Sequence, residues 1–443
     1  MEATTRQDIP TPPGRAERGK HRLPNRRAVF AYWTFAHVSL ATALLVLVTR
    51  PESIAGFHYH PKMVAVVHLV TLGWVTCSIF GALHMVAPMA LRSPVRPRPI
   101  DLWGFTLISI GIVGMVAHFW LDTSSGMAWS AATVVVGFAI PVFRFWRAVQ
   151  HSSMPGEVKI HFYLAFTNLG LAALAGLALG IHKNAAFLPG TQLTNVWGHA
   201  HLAALGWATM MVFAVGYRLL PMFIPAAMPT GRWVWSTATL LQVGTIGLTT
   251  TLVLESPWTA PFALTVIASI VVFATRVRWM MRHRKPSPKQ MTRPDWPMVQ
   301  TMAAIGYLLL SALLGISLIV GPPAAWKVGA ALAYGVVFLI GFLAQIVVGV
   351  AGRLLPLATW LWSFADSNYQ NPPPSPFEFT ARELQLRVFS LWTIGVPVLG
   401  VGMATSSLLA VRAGALCLLI ALVLNVAIMN KTRQKLRAST QFE

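Results

Sequence analysis

The chain has 443 residues, 55% of them hydrophobic and only 11% charged. A soluble domain carries about 25% charged residues, so composition alone excludes a water-facing globule. The net charge of +21 invites a nucleic-acid partner, but the basic residues sit in short loops between apolar runs, which is how membrane topology is written. Nucleic acid is therefore not an expected partner.

Residues 1–27 are polar, basic and proline-bearing, and lack the apolar core of a signal peptide. They are expected to form a disordered cytoplasmic tail. After them come apolar runs of the length that crosses about 30 Å of hydrocarbon at about 1.5 Å per residue. The expected spans are approximately 28–48, 63–89, 101–121, 127–146, 160–181, 194–219, 234–254, 259–277, 299–319, 327–352, 388–406 and 413–430. No alternating pattern or hairpin signal separates them, which leaves helices as the spanning solution. Residues 28–430 are read as one membrane domain of twelve helices, and 431–443 as a cytoplasmic tail. Of the 34 Lys and Arg, all but Arg50, Lys62, Lys183, Lys327 and Arg412 fall on one side of these spans. The positive-inside rule then places both termini inside, in a bacterial inner membrane.

The second and sixth spans align. His68-Leu-Val-Thr-Leu-Gly73-Trp74 runs on to His84 and Pro88; His201-Leu-Ala-Ala-Leu-Gly206-Trp207 runs on to Tyr217-Arg218-Leu-Leu-Pro221. The tenth span ends Gly352-Arg353-Leu-Leu-Pro356, and His37, Asn168 and Tyr307 stand at matching places in the preceding helices. The chain is therefore expected to hold three parallel repeats of four helices, about 28–155, 156–290 and 291–430.

This topology gathers His58, His60, His68, His118, His182, His199 and His201, out of 13 histidines, into one zone at the outer side. Ionisable groups inside a membrane are costly and usually functional. His68, His199 and His201 are the candidate metal ligands. The residues of His199-Ala-His201 are about 200° apart around a helix axis, so the pair serves two sites on opposite faces. His58, His60, His118 and His182 are read as interfacial histidines or as ligands of a second metal such as copper. Arg50 and Lys183 are cations placed either to flank the span or to meet an anionic cofactor group. Tyr334 and Gln345 are the polar residues of the tenth span. No Asp or Glu falls mid-membrane, which weighs against a proton-coupled transporter or pump. Cys77 and Cys417 lie inside apolar runs, and no CxxC or CxxCH motif is present.

The segment from His199 to Trp207, followed by Gly216-Tyr217-Arg218-Leu-Leu-Pro221, resembles the catalytic subunit of heme–copper oxidases and nitric oxide reductases. It is similar also to smaller subunit-I-like relatives of these and, in size and histidine use, to the NnrS-type heme- and copper-containing membrane proteins. The resemblance implies three arcs of four helices, one or two b-type hemes, and His68 with His201 as axial ligands of one heme, His199 serving a second heme or metal. In those oxidases the His-x-His lies on the tenth helix; here it lies on the sixth, and the tenth carries Tyr334 and Val336. Their copper site is not carried over. The functions this implies are electron transfer, or nitric oxide or oxygen handling at the outer face; an enzyme of this kind would be an oxidoreductase. A non-catalytic membrane subunit of a larger redox complex and a cofactor-free transporter or channel are the rival readings. Membrane lipid, redox partner subunits and quinone are the partners that follow.

Overall fold

The computed structural model describes residues 23–438 apart from 58, 94, 287–292, 368, 371, 374 and 377–380, with no side chain described beyond 434. The N-terminal tail expected at 1–27 lies mostly outside these residues. Every regular element among the described residues is helical. The long rods are α1 (Arg26–Thr49), α2 (Pro61–Met89), α3 (Pro99–Trp120), α4 (Met127–Gln150), α5 (Gly156–His182) and α6 (Gln192–Phe223). Next come α7 (Arg232–Val253), α8 (Thr259–Arg282), α9 (Trp296–Val320), α10 (Trp326–Asp366), α11 (Arg382–Ala404) and α12 (Leu408–Ala438). By length and composition, 11 of the described rods can cross a membrane, α7 being the one that falls short.

Most rods begin and end within a few residues of the expected spans; α10 and α12 run further. Arg353 looked like the end of a span. It is instead a buried group inside α10, ion-paired to Asp295, which caps the start of α9. Beyond it Leu354, Leu355, Ala358 and Trp362 keep a helical spacing and stay buried, so the rod continues to Asp366. Lys431 and Arg433 likewise do not stop α12, because nothing there breaks a helix and Arg433 lies over the Phe30 ring of α1.

The innermost rods are α2, α6 and α10. Their most apolar windows are 67%, 67% and 72% buried, against 22–44% for the other candidate spans. They form the centre, and the remaining rods surround them. Each central rod contains an eight-residue π-helical stretch: Leu69–Thr76, Leu202–Thr209 and Val337–Ala344. The wider register is visible where each stretch ends. The Cys77, Met210 and Gln345 N–H groups donate five residues back, to the Leu72, Leu205 and Ile340 carbonyls. Such stretches are rare and cluster at functional sites.

The fifth residue of each stretch is glycine, and only a glycine leaves room there for a neighbour. A Cβ on Gly73 would overlap Ser39 of α1; one on Gly206 would sit 2.9 Å from Asn168 Cβ of α5, and one on Gly341 2.8 Å from Tyr307 of α9. In α1 the side chain that faces the glycine is thus Ser39, and His37, expected at that place, sits two residues away. Two indoles tie the central rods together. Trp207 Nε1 donates to Thr76 Oγ1 at 3.1 Å, and Trp74 Nε1 donates to the Ala344 carbonyl at 3.3 Å. Thr76 and Ala344 close their π stretches, so both links join equivalent places. Phe342, where the third indole would stand, has no N–H to give. Several tryptophans belong to the core: Trp33, Trp74, Trp207, Trp362 and Trp392 are all buried.

At the end carrying the basic loops, Asp101 of α3 is buried and ion-paired to Arg144 of α4, with Asn25 Nδ2 donating at 3.2 Å. Removing one partner of a buried pair typically costs about 3–5 kcal/mol. Arg144→Met is expected to lower stability by about 3 kcal/mol, and Arg144→Met with Asp101→Asn to recover most of the loss. Thermal unfolding of the detergent-purified variants checks this; equal midpoints for parent and Arg144→Met would show the pair to be idle.

Candidate functional site

His68 and His201 are each the last residue before a π stretch, at the end of the bundle opposite the basic loops. The Nδ1–H of His68 donates to the Val64 carbonyl and that of His201 to the Trp197 carbonyl, both at 2.8 Å. A carbonyl only accepts, so these bonds fix the tautomer that leaves Nε2 with its lone pair, the form in which histidine binds metals. His37, His151, His161 and His283 make the same bond one turn back. The bond alone does not mark a ligand; what the ring faces does.

His68 stacks on Phe119 of α3 with ring centroids 5.1 Å apart. The Lys183 ammonium lies 5.4 Å from the centroid of that same Phe119 ring. A cation thus stands one aromatic ring away from His68.

His199 turns toward α5. Its ring edge packs on Gly176, where Cε1 lies 3.0 Å from the place a Cβ would take. Its Nδ1 is buried beside the Ala172 backbone without a well-formed hydrogen bond, and His68 is the ionisable group that acts on it. His201 turns toward α10. Its Nε2 lies 3.5 Å from the Tyr334 hydroxyl, at the long end of hydrogen bonding, and the two rings are nearly parallel at 19°. The two imidazoles of His199-Ala-His201 therefore face different neighbours, α5 and α10. The resemblance puts His68 with His201; in the structure His68 lies within electrostatic reach of His199, and His201 has a tyrosine neighbour.

The other histidines of this end hold loops. His118 Nδ1 bonds Thr123 Oγ1 at 2.9 Å, and its ring lies flush against Gly126. His182 Nδ1 accepts from the Phe187 and Leu188 N–H groups at 2.9 and 3.0 Å. His60 is exposed and caps α2, its Nδ1 accepting from Lys62 N at 3.3 Å. His58 lies outside the described residues. Arg50 ends α1 and is exposed. Among the described residues no three His, Cys, Asp or Glu side chains come together to hold a metal ion. A heme needs only one or two protein ligands, because the porphyrin supplies the rest.

Two contributors escape sequence reasoning. Gly176 is one of many glycines in apolar spans, and Phe119 one of many aromatics; only the fold brings them to His199 and His68. Gln345, the residue just after the third π stretch, is fully buried, with neither amide atom bonded among the described residues.

No protein-family model matches the chain, and no curated protein matches it.

Proposed function

We propose that this chain is a b-type heme protein of the bacterial inner membrane that carries electrons, or handles nitric oxide or oxygen, at the outer face. His68 and His199 are the axial ligands of one heme in this reading. The observation that carries it is the presence of two imidazoles within electrostatic reach of each other at one end of the central rods. His68 keeps its Nε2 lone pair because Nδ1–H is spent on the Val64 carbonyl, and His199 Nδ1 lies beside the Ala172 backbone without a well-formed hydrogen bond. A ring nitrogen buried in an apolar surrounding, as His199 Nδ1 is, is costly unless something binds it. Lys183, one ring from His68, fits the anionic propionates that a heme presents. Bound there, a heme supplies one-electron chemistry. Two histidines leave its iron no open position and favour electron transfer; one leaves room for a diatomic gas.

The His-x-His segment and its resemblance to the oxidases and nitric oxide reductases support the same reading. Three four-helix repeats are supported by the three π stretches, whose glycines Gly73, Gly206 and Gly341 face the preceding rod each time. The placing of both termini in the cytoplasm rests on the Lys and Arg distribution.

The absorption spectrum of the purified protein before and after dithionite tests the reading. A b-type Soret and alpha band is expected. A colourless, folded preparation from a heme-replete host would overturn it and leave the transporter or channel. A companion effect is expected at Gly176. Gly176→Val pushes the His199 ring off its seat and is expected to lower heme content about tenfold, with the helical signal unchanged; unaltered heme content would detach Gly176 from the site.

A further inference from the structure

A cavity of about 480 Å³ opens between α1, α10 and α12, toward the end of the bundle with the basic loops. That volume is in the range of small-molecule sites, about 300–1,000 Å³. Its walls are mostly apolar, but Asn425 of α12 breaks them. Asn425 is 7% exposed and stands in an apolar stretch between Leu424 and Val426. Among the described residues the only partner of its amide is Met429 Sδ, 3.9 Å away, a weak acceptor. No hydrogen bond to its amide oxygen is seen among the described residues. At the mouth, two turns further along α12, Arg433 lies 5.0 Å over the Phe30 ring. Thr34, His37 and Ala41 of α1 form the opposite wall at helical spacing.

We propose that this cavity binds a lipid-soluble quinone or quinol. A flat ring with oxygens at opposite edges gives Asn425 a hydrogen-bonding partner within an apolar slot, and a polyprenyl tail leaves sideways into the bilayer. A phospholipid chain would satisfy Arg433 at the mouth but lay methylenes against the Asn425 amide. The choice of a quinone among ring-bearing amphiphiles rests on the electron-transfer reading. On the side away from Asn425, His37 in the cavity wall meets the Trp74 ring edge-on at 5.0 Å, and Trp74 lies six residues after His68 on α2.

Photolabelling of the full-length protein in nanodiscs with an azido-substituted short-chain ubiquinone tests this. Label is expected on peptides of α1, α10 and α12, competed by decylubiquinol and not by added phosphatidylglycerol. Asn425→Leu, close in volume, is expected to cut specific labelling about fivefold, and Ala41→Phe to block it by filling the slot. Should Ala41→Phe misfold, Asn425→Leu decides. Labelling that phosphatidylglycerol competes equally, or that Asn425→Leu leaves unchanged, would make the cavity a lipid niche and overturn the proposal. Labelling does not need heme. A colourless protein that takes the label loses only the heme reading, and a coloured protein that does not take it loses only the quinone site.

Discussion

On the proposed heme reading, His68→Ala and His199→Ala are each expected to strip heme from the purified protein, while His118→Ala and His182→Ala are expected to leave it in place. Loss of an outer partner of a metal ligand already costs about 10- to 100-fold in affinity, so loss of the ligand itself is expected to cost at least that. His118 and His182 are spent on loop contacts: the first bonds Thr123, the second accepts from two backbone N–H groups. Their removal frays a connection and touches no iron. His201→Ala is the discriminating case. Its ring faces Tyr334, so the His68–His199 heme is expected to survive its loss. Heme per polypeptide, measured as the pyridine hemochrome, reads all five variants. If His201→Ala empties the protein and His199→Ala does not, the ligand pair is the one the oxidase resemblance implies, His68 with His201.

Gly73→Val will destabilise the whole bundle, and Gly206→Val will do so by a similar amount. Both glycines sit in π stretches where the central rod touches its neighbour through backbone alone, against Ser39 and Asn168. Extra methyl groups in such a contact typically cost about 1–3 kcal/mol; the upper end is expected at Gly73, where the added carbon would overlap the Ser39 side chain next to its backbone. The contact also predicts its own rescue. Ser39→Gly vacates the space, so Gly73→Ala with Ser39→Gly is expected to be more stable than Gly73→Ala alone. Thermal midpoints in detergent decide it. A double variant no better than the single one would mean that the clash lies elsewhere in the π turn.

The membrane architecture was legible because lipid imposes a rule that leaves a plain trace: about twenty apolar residues per crossing and charges between them. The likeness of α2 to α6 was legible because His68 and His201 head the same Leu-x-x-Leu-Gly-Trp string. The π stretches were not, since a five-residue hydrogen-bond register has no residue signature of its own; Gly73 and Gly206 were visible only as letters in a motif. The role of Ser39 was hidden for the same reason. It is a small residue in a helix, and only the closeness of Gly73 gives it meaning. Charge misled at the far ends of α10 and α12. Arg353 and Arg433 read as the edge of the membrane, but one is paired with Asp295 and the other lies on Phe30. The direction of the imidazoles was half legible. Two residues of separation put His199 and His201 on different faces, but which face meets His68 depends on how α6 is rotated against α2, and that is set by Trp207 on Thr76 and Gly206 on Asn168.

The most direct measurement of the proposed shared grip of α2 and α6 on one iron is the electron paramagnetic resonance spectrum of the oxidised, purified protein. A low-spin ferric signal from an iron between two imidazoles is expected, turning high-spin or vanishing in His68→Ala and in His199→Ala alike. A high-spin signal in the parent, or a low-spin signal that outlasts the loss of either histidine, would contradict it.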